Sequence, residues 1–365
     1  LWGWGRPGAA IEVSFAGQTL GAHADTEGRW RISLQALDAN AEGQELRIQS
    51  GDEQCIIHDV LVGEVWFVSG QSNMEYKTRH MASNLAEGQV LVDGARLSSV
   101  RYRRINDTHL SAPREDLTRG SWVLCTPESA LDYSAVAFVF ANRIHRELNI
   151  PVGIIDCSWG GTPIEPYIPK AAFVGHPTLV KLAALAKSGD IEEIKAMRGG
   201  TFVRDDGWLA GVIFNGGIAP LAPYAIRGAL WYQGESNAGE GQDPRDYFHK
   251  MRALITGWRQ AWGRDDLPVY FVQLPQWDSY EWPYLREEQM RALYIENTGM
   301  AVTLDLDNAN DIHPPNKVDV GERLALWPLA KQYGRKVTFS GPLFKDASYT
   351  NGVVNVDFDY ADDGL

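Results

Sequence analysis

Residues 63–74 read GEVWFVSGQSNM. The apolar centre of this run is continuous and rich in valine and aromatic side chains, which predicts a strand buried on both faces of a sheet. Ser72 follows that strand and a glycine, so its hydroxyl can be presented at the open end of a parallel sheet, as a nucleophile requires. Ser72 also stands three residues before Glu75, which fits a capping box at a helix start. Both interpretations stay open on this run alone, because the first turn of a helix can also offer N–H groups to an oxyanion.

Length and charge exclude several classes of protein. The 365 residues suffice for a large core with an accessory domain, and 44% apolar with 22% charged residues is typical of a soluble globular protein. The 34 Lys and Arg against 47 Asp and Glu give a net charge of −13, which argues against a nucleic-acid partner. The basic run RYRR at residues 101–104 is too short to reverse this, and we predict a solvated edge there. No run approaches the ~20 apolar residues of a membrane helix, so no membrane partner is expected.

No metal or other cofactor is predicted. The chain has three cysteines, Cys55, Cys125 and Cys157. They lack metal-ligand and Cys-x-x-Cys spacing; Cys157 is predicted to be a buried structural thiol, and a disulfide stays open. One group combines carboxylates with a histidine: Asp305, Asp307, Asp311 and His313. The series does not fit a calcium-binding loop, because Ala309 stands where the spacing needs an oxygen ligand, so a metal site is disfavoured.

Three regions of the chain differ in their patterns. Residues 1 to about 60 alternate apolar and polar side chains between glycine-containing turns, which predicts a small antiparallel accessory domain resembling a β-sandwich. Residues 61–335 alternate strand and helix patterns, with a helical insertion at about 170–209. Residues 336–365 return to strand alternation, and we expect the start of a C-terminal β element there, truncated where the sequence stops.

The middle region predicts an α/β fold. Beyond the strand at residues 63–69, predicted strands cover residues 152–157, 226–232, 269–274 and 300–305. Predicted helices cover residues 134–148, 247–262, 285–298 and 316–333, the last expected to kink or divide at Pro328. Strands and helices that alternate at this length indicate a three-layer α/β/α domain with a parallel central sheet.

Polar motifs follow the predicted parallel strands. They are GQS at residues 70–72, SWGGTP at 158–163, QGESN at 233–237 and NDIHP at 310–314. Loops at the carboxyl ends of parallel strands share one edge of a sheet, where open α/β folds keep their sites. A serine, tight glycines, side-chain amides and a histidine at one edge are what an acyl-transfer site needs.

This set resembles the SGNH hydrolase superfamily and, within it, the sialate O-acetylesterase family. The matching motifs are GQSNM at residues 70–74, WGGTPIE at 159–165, WYQGESN at 231–237 and DIHP at 311–314. The lead-in VGEVW at residues 62–66 and the amino-terminal β-domain are also similar to this family, so the resemblance covers nearly the whole chain. It implies a serine carbohydrate esterase that releases acetate through an acetyl-serine intermediate. The sequence does not match the nucleophile-elbow motif G-x-S-x-G of the classical α/β-hydrolases, because Met74 stands where the motif needs a glycine.

The roles of the site residues follow from this chemistry. Ser72 is predicted to attack the acetyl carbonyl, and His313 to take its proton and return it to the sugar oxygen. The oxyanion donors are predicted among the backbone N–H groups of Ser72, Gly160 and Gly161 and the side-chain amides of Gln233 and Asn237. A plain tight turn is the alternative for the two glycines, and Glu235 is expected to brace the nucleophile loop.

The acid partner of the histidine is not fixed by the motif. Members of the superfamily commonly show Asp-x-x-His, whereas Asn310 holds that place here and Asp311 stands two residues before His313. Asp311 is the candidate for orienting the imidazole, and a backbone carbonyl is the alternative, which would leave a Ser–His dyad. Asp305 and Asp307 are further options.

The resemblance implies O-acetylated sialic acids as substrates, with the 9-O-acetyl ester most typical. Candidate substrate-binding side chains are Gln71, Arg79, Trp159, Glu235, Trp277 and Arg286. The two arginines are chosen because a guanidinium fork matches a sialate carboxylate. Acetyl-xylan or other glycan esters are the alternative substrates, and a non-catalytic carbohydrate-binding protein is the remote alternative. The family context predicts a secreted or periplasmic bacterial protein, whereas the sequence predicts no oligomeric state.

Overall fold

A computed structural model describes residues 1–106, 110–188, 192–193, 210–239, 243–306, 310–361 and 364. The strands are β1 Trp2–Trp4, β2 Ala10–Phe15, β3 Gln18–His23, β4 Arg29–Arg31, β5 Asn40–Ser50, β6 Glu53–Val62, β7 Glu64–Gly70, β8 Leu97–Arg104, β9 Val123–Cys125, β10 Val152–Ser158, β11 Gly228–Tyr232, β12 Val269–Val272, β13 Thr298–Ala301, β14 Leu343–Thr350 and β15 Val353–Asp359. The α-helices are α1 Ser72–Glu75, α2 Thr78–Asn84, α3 Ala86–Asp93, α4 Pro127–Ala130, α5 Ala135–Leu148, α6 Pro177–Ser188, α7 Tyr247–Trp262, α8 Trp282–Arg291 and α9 Lys317–Lys331.

The central sheet has the strand order β13-β12-β11-β7-β10-β8-β9. Its strands are parallel except for the edge pair β8 and β9. Strand β7 lies in the middle, and residues 66–69 are fully buried. The continuous apolar run therefore forms a strand covered on both faces, as predicted.

Helices cover both faces of this sheet. The ring of Trp66 packs edge-on against Phe140 of α5, with the ring centroids 5.1 Å apart. The next residue, Phe67, packs against Trp258 of α7 with centroids 5.2 Å apart. Because successive side chains of a strand point to opposite faces, α5 and α7 lie on opposite sides of β7. The predicted three-layer α/β/α fold with a parallel central sheet is confirmed, and the edge strand β9 departs from it by pairing antiparallel to β8.

Several local predictions were wrong. Residues 101–104 do not form a solvated edge: they belong to β8, between β9 and β10, and Tyr102 is buried. Helix α8 begins at Trp282 and ends at Arg291, so β13 begins at Thr298 instead of at residue 300. Helix α9 continues through Pro328 to Lys331, so it does not divide there, and the expected kink stays a prediction.

Antiparallel elements flank the central sheet. Strands β3-β2-β5-β6 form a four-stranded sheet, and a small core of Ile11, Val13, Ala24, Trp30 and Ile32 packs near it. Strands β14 and β15 form a hairpin. The predicted domain boundaries stay predictions; α6 lies within the predicted insertion, and most of the insertion beyond Ser188 lies outside the described residues.

All three cysteines lie among the described residues, and each has a free thiol. Cys125 and Cys157 are buried, and burial raises the pKa of each thiol to about 12. These two therefore behave as small apolar core residues. None of the described helices is both long enough and apolar enough to span a bilayer.

Candidate active site

The site begins where β7 ends at Gly70. This residue has φ +144°, and a Cβ there would lie 2.1 Å from the carbonyl oxygen of Tyr232 in the neighbouring strand β11. Only glycine fits, because both the dihedral angle and the close backbone approach exclude a side chain. The chain passes through Gln71 into the short helix α1, whose first residue is Ser72. The strand thus carries Ser72 to the carboxyl edge of the sheet.

Ser72 meets His313 at this edge. The hydroxyl oxygen of Ser72 lies 2.7 Å from Nε2 of His313, across 241 positions of sequence. Burial lowers the pKa of His313, the cation of Lys317 lowers it further, and the carboxylate of Asp311 opposes the shift. The imidazole is therefore neutral at neutral pH, and it can accept the serine proton.

The capping interpretation of Ser72 is wrong. The residue at the N-cap of α1 is Gln71, and no side chain caps the helix. The carboxylate of Glu75 instead pairs with Arg104 at 2.7 Å and accepts the backbone N–H of Gly160 at 2.7 Å. The tertiary fold gives both polar side chains partners that are far away in the sequence, so neither serves the local cap.

Asp311 lies beside the histidine but does not hold its ring. Its carboxylate is exposed and accepts the backbone N–H of His313 at 2.8 Å. Within the described ranges, no hydrogen bond joins a carboxylate to the imidazole. Asp305 is held by both guanidinium nitrogens of Arg323 at 2.6 Å, and Asp307 lies outside the described residues.

The backbone N–H groups of Ser72 and of the glycine loop at residues 160–161 are the candidates for oxyanion donors. A Cβ on Gly160 would lie 3.6 Å from the Cβ of Ser72, so this glycine loop borders the nucleophile. The N–H of Gly160 is already bonded to Glu75. The N–H groups of Ser72 and Gly161 donate to no other group in the described part of the chain. Gly161 has φ +70° and open space around it, as a residue facing a substrate would.

The amides of Gln233 and Asn237 face the protein interior. Nε2 of Gln233 has three acceptors around its two hydrogens, which are Oε1 of Gln71 at 3.0 Å, the carbonyl of Thr162 at 3.1 Å and Oδ1 of Asn237 at 2.8 Å. Nδ2 of Asn237 lies 3.2 and 3.3 Å from the carboxylate oxygens of Glu165. Both residues are buried, so their contacts do not support the predicted role as oxyanion donors. They brace the loops that carry the site.

Gln71 and Glu235 also lie within this framework. Oε1 of Gln71 accepts the amide of Gln233 at 3.0 Å and the backbone N–H of Ser236 at 3.1 Å. The carboxylate of Glu235 is buried and accepts Nδ2 of Asn73 at 2.5 Å. Their contacts are therefore those of bracing groups, as expected for Glu235, and they give no support to the predicted substrate contacts.

The remaining predicted substrate residues lie nearer the surface. Arg79 is exposed and pairs with Asp132. Trp277 is half-buried and packs beside Trp282, with ring centroids 6.4 Å apart. Arg286 is half-buried and donates to the carbonyl of Pro275 at 3.2 Å, and no carboxylate pairs with it in the described ranges.

The chain is similar in sequence and in structure to known proteins. A family model described as "Carbohydrate esterase, sialic acid-specific acetylesterase" matches residues 209–328. The sialate O-acetylesterase of Rattus norvegicus is 30% identical, over 98% of this chain and 75% of that protein. The chain belongs to the sialate O-acetylesterase family. The sialate O-acetylesterase of Homo sapiens is 30% identical over 94% of this chain and 69% of its own length. The crystal structure of a carbohydrate acetylesterase from Xanthomonas citri superposes with a TM-score of 0.83 at 33% identity, covering 99% of this chain and 77% of that one.

Sequence reasoning missed one ionic cluster of this family member. Arg104 of β8 pairs with Asp156 at 2.7 Å and with Glu75 at 2.7 Å, and it donates to the carbonyl of Ser158. Its guanidinium also lies 5.8 Å from the ring centroid of the half-buried Trp159. The cluster therefore ties α1 to the glycine loop beside the nucleophile. A signal was present, because a basic strand residue must find a buried carboxylate if it lies inside a sheet.

A second missed pair lies behind the histidine. Lys317, the first residue of α9, is fully buried, and its ammonium group donates to Oδ1 of Asn73 at 2.7 Å and to the carbonyl of Pro314. Asn73 directly follows the nucleophile in the sequence. Lysine side chains are ordinarily exposed, so the sequence pattern gave no reason to place Lys317 in the site.

Among the residues that the structure describes, no group of three or more His, Cys, Asp and Glu side chains is arranged to hold a metal ion. Of the predicted acidic candidates, Asp305 is bonded to Arg323 and Asp311 to a backbone N–H, while Asp307 lies outside the described ranges.

Proposed function

We propose that this protein hydrolyses O-acetyl esters of sialic acids, with Ser72 as nucleophile and His313 as general base and acid. The 2.7 Å contact between the Ser72 hydroxyl and Nε2 of His313 carries the proposal. It is the contact that a serine esterase needs, and it joins two motifs of a family whose relatives bear the name sialate O-acetylesterase.

The reaction proceeds in two acyl transfers. Nε2 of His313 takes the hydroxyl proton while Oγ of Ser72 bonds to the acetyl carbon, and the carbonyl oxygen becomes an oxyanion. The intermediate collapses when the sugar oxygen leaves and takes the proton from His313, and an acetyl-serine remains. Water then attacks the acetyl-serine with His313 again as base, which releases acetate and restores the serine hydroxyl.

The backbone N–H groups of Ser72 and Gly161 are the proposed oxyanion donors. The first belongs to the nucleophile itself, the second to the loop whose Gly160 borders Ser72, and neither donates to another group in the described part of the chain. Donors of this kind stabilise the oxyanion by a few kcal/mol, because their dipoles are already oriented before charge develops. Gly160 could join them if its N–H were released by Glu75.

Arg286 is the proposed partner of the sialate carboxylate. Its helix α8 packs against the loop at residue 234, since a Cβ on Gly234 would lie 2.7 Å from Leu285. The guanidinium has one hydrogen bond, to a carbonyl, and keeps donors for a bidentate carboxylate contact. Arg79 is already paired with Asp132, so it is the less suitable arginine.

The test measures acetate release from 9-O-acetylated sialic acid and from acetylated xylo-oligosaccharide. We expect activity on the sialate that Ser72→Ala abolishes. Arg286→Gln should lower kcat/KM for the sialate more than for the xylo-oligosaccharide, which has no carboxylate, whereas Arg79→Gln should leave this ratio unchanged.

Activity confined to the xylo-oligosaccharide would keep the mechanism and replace the substrate by an acetylated glycan. No activity on either compound or on an aryl acetate would overturn the proposal and favour a non-catalytic carbohydrate-binding protein. A secreted or periplasmic location stays a prediction, which fractionation of the cells that produce the protein would check.

A further inference from the structure

Side-chain donors bind the backbone carbonyls on both sides of His313. The carbonyl of Ile312 accepts Nδ2 of Asn73 at 2.8 Å, and the carbonyl of Pro314 accepts the ammonium group of Lys317. The two donors are joined to each other, because Lys317 also donates to Oδ1 of Asn73 at 2.7 Å. One connected unit thus fixes the peptide groups before and after the base.

The same unit is attached to the nucleophile. Asn73 follows Ser72 in helix α1, and its amide uses both ends: Oδ1 accepts from Lys317, while Nδ2 donates to Ile312 and to Glu235. A movement of the histidine loop would therefore break hydrogen bonds to the residue next to Ser72. The separation of Ser72 and His313 is set through these contacts.

The buried carboxylate of Glu235 interacts electrostatically with the cation of Lys317. Lys317 is fully buried, and Glu235 supplies a buried carboxylate whose Oε1 accepts Asn73 at 2.5 Å. The ammonium group also lies 4.8 Å from the ring centroid of Tyr76 and 5.7 Å from that of Tyr232. Burial raises the pKa of Glu235, while the hydrogen bond from Asn73 and the cation of Lys317 oppose that rise. Burying an ammonium group costs desolvation free energy even with such partners, so the position of Lys317 calls for an explanation.

We propose that Lys317 and Asn73 are positioning residues that clamp His313 onto Ser72, with Glu235 as the buried counter-ion of Lys317. In serine hydrolases with a triad, a carboxylate on Nδ1 fixes the imidazole. Here the carboxylate of Asp311 bonds to the backbone N–H of His313, so the clamp on the flanking carbonyls supplies the orientation. The inference rests on the proposed function, because it needs Ser72 and His313 as the reacting pair.

The alternative is that Lys317 is a satisfied core lysine that contributes to stability alone. Lys250 shows that such a lysine exists in this chain: it is buried and pairs with Glu165 at 3.0 Å. The ammonium group of Lys317 donates instead to the histidine loop, at Pro314, and to Asn73, the neighbour of the nucleophile. The two roles predict different kinetics, and a variant can separate them.

The test variant is Lys317→Met, which keeps a long unbranched side chain and removes the charge and the donors. On an aryl acetate, which requires no sugar recognition, we expect kcat to fall about 10²-fold with KM within about twofold of wild type, since a displacement of ~1 Å in a catalytic group costs that much. Asn73→Ala should do the same. In the double variant, kcat should be at most about twofold lower than in the slower of the two single variants, because both residues act as one unit.

Leu324→Ala is the matched control on the same helix. Leu324 is fully buried in α9, and its truncation should lower the melting temperature while kcat at 25 °C stays at the wild-type value. If Lys317→Met proves insoluble, Lys317→Met with Glu235→Gln removes both buried charges together and is the variant to measure.

A second readout does not depend on turnover. The pKa of the His313 imidazole, followed by NMR and assigned with His313→Gln, should rise in Lys317→Met because a nearby cation is lost; Lys317 and Asp311 are the charges that act on this ring. An unchanged kcat or an unchanged imidazole pKa in Lys317→Met would overturn the clamp and leave the esterase intact. A wild-type protein without esterase activity would overturn the proposed function, and the imidazole titration would still decide whether Lys317 acts on His313.

Discussion

The carboxylate of Asp311 accepts the backbone N–H of His313 at 2.8 Å, two residues along the chain. This contact shapes the loop that carries the base, and it leaves the imidazole to be oriented by other groups. A carboxylate that holds a catalytic imidazole is ordinarily buried and bonded to Nδ1. Asp311 is exposed, and this supports the proposal that Ser72 and His313 act as a pair in a braced loop.

Asp311→Asn should therefore have a small effect. We expect kcat/KM on an aryl acetate to fall less than about tenfold, because the amide oxygen can still accept the N–H of His313. Where an aspartate holds the base through Nδ1, the same change lowers kcat about 10⁴-fold. His313→Gln serves as the reference for full loss of the base. A fall of three orders of magnitude in Asp311→Asn would show that the carboxylate reaches the ring during catalysis.

The pH dependence should have its acid limb below pH 6.5. The base must be neutral, and burial and the cation of Lys317 lower the pKa of His313 below its ordinary value of 6.5. Activity thus falls only when the pH drops through this lowered pKa. In Asp311→Asn the limb should move to still lower pH, because the carboxylate raises the pKa of His313. Profiles of kcat/KM between pH 4 and pH 8 on an uncharged aryl acetate provide the measurement, and a limb above pH 6.5 would contradict the assignment.

Arg104→Met should destabilise the fold. Arg104 is the ion-pair partner of Asp156, which is fully buried, so its loss leaves an unpaired charge in the core. Breaking a buried pair from one side costs about 3–5 kcal/mol of the free energy of unfolding, measurable by urea denaturation.

Two further variants serve as controls for the loss of stability expected in Arg104→Met. Arg79→Gln removes an exposed pair with Asp132 and should cost less than about 1 kcal/mol. Arg104→Met with Asp156→Asn should recover part of the loss, because the uncompensated charge is removed. Equal effects of the two single variants would mean that solvent reaches Asp156 and that the pair contributes no more than a surface pair.

Two glycines beside the nucleophile should respond differently to alanine. At Gly70 a Cβ would lie 2.1 Å from a backbone oxygen at φ +144°, so Gly70→Ala should prevent folding. At Gly161 a Cβ would meet open space at φ +70°, so Gly161→Ala should cost only about 1–2 kcal/mol for the left-handed conformation. Yield of soluble protein and thermal unfolding compare the two, and a stable, soluble Gly70→Ala variant would refute the close approach.

The sequence predicted those parts of the molecule that repeat a local pattern. The apolar run at residues 63–69 indicated a buried central strand, and the alternation after it indicated a parallel sheet with helices on both faces. The polar motifs could be assigned to one edge of that sheet because parallel strands end together. Element boundaries were predicted less well: α8 begins three residues and ends seven residues before its predicted bounds, and β13 begins two residues and ends four residues before its own, because the ends of helices and strands carry little of the periodic pattern.

The tertiary structure alone decided how the polar groups pair. Ser72 could cap a helix or meet a base in another loop, and the fold brought His313 to it across 241 positions. The sequence pattern predicted an exposed charge at Arg104 and no role in the site for Lys317. In the fold, Arg104 pairs with Asp156 and Lys317 donates to Asn73. The periodicity of apolar residues depends only on residues that are close in sequence. The sequence by itself therefore determined the three layers of the fold and the edge of the sheet that holds the site. Hydrogen-bond partners are set by distance in space, so only the folded chain determined that Asp311 accepts a backbone N–H while Asn73 and Lys317 donate to the carbonyls on either side of His313.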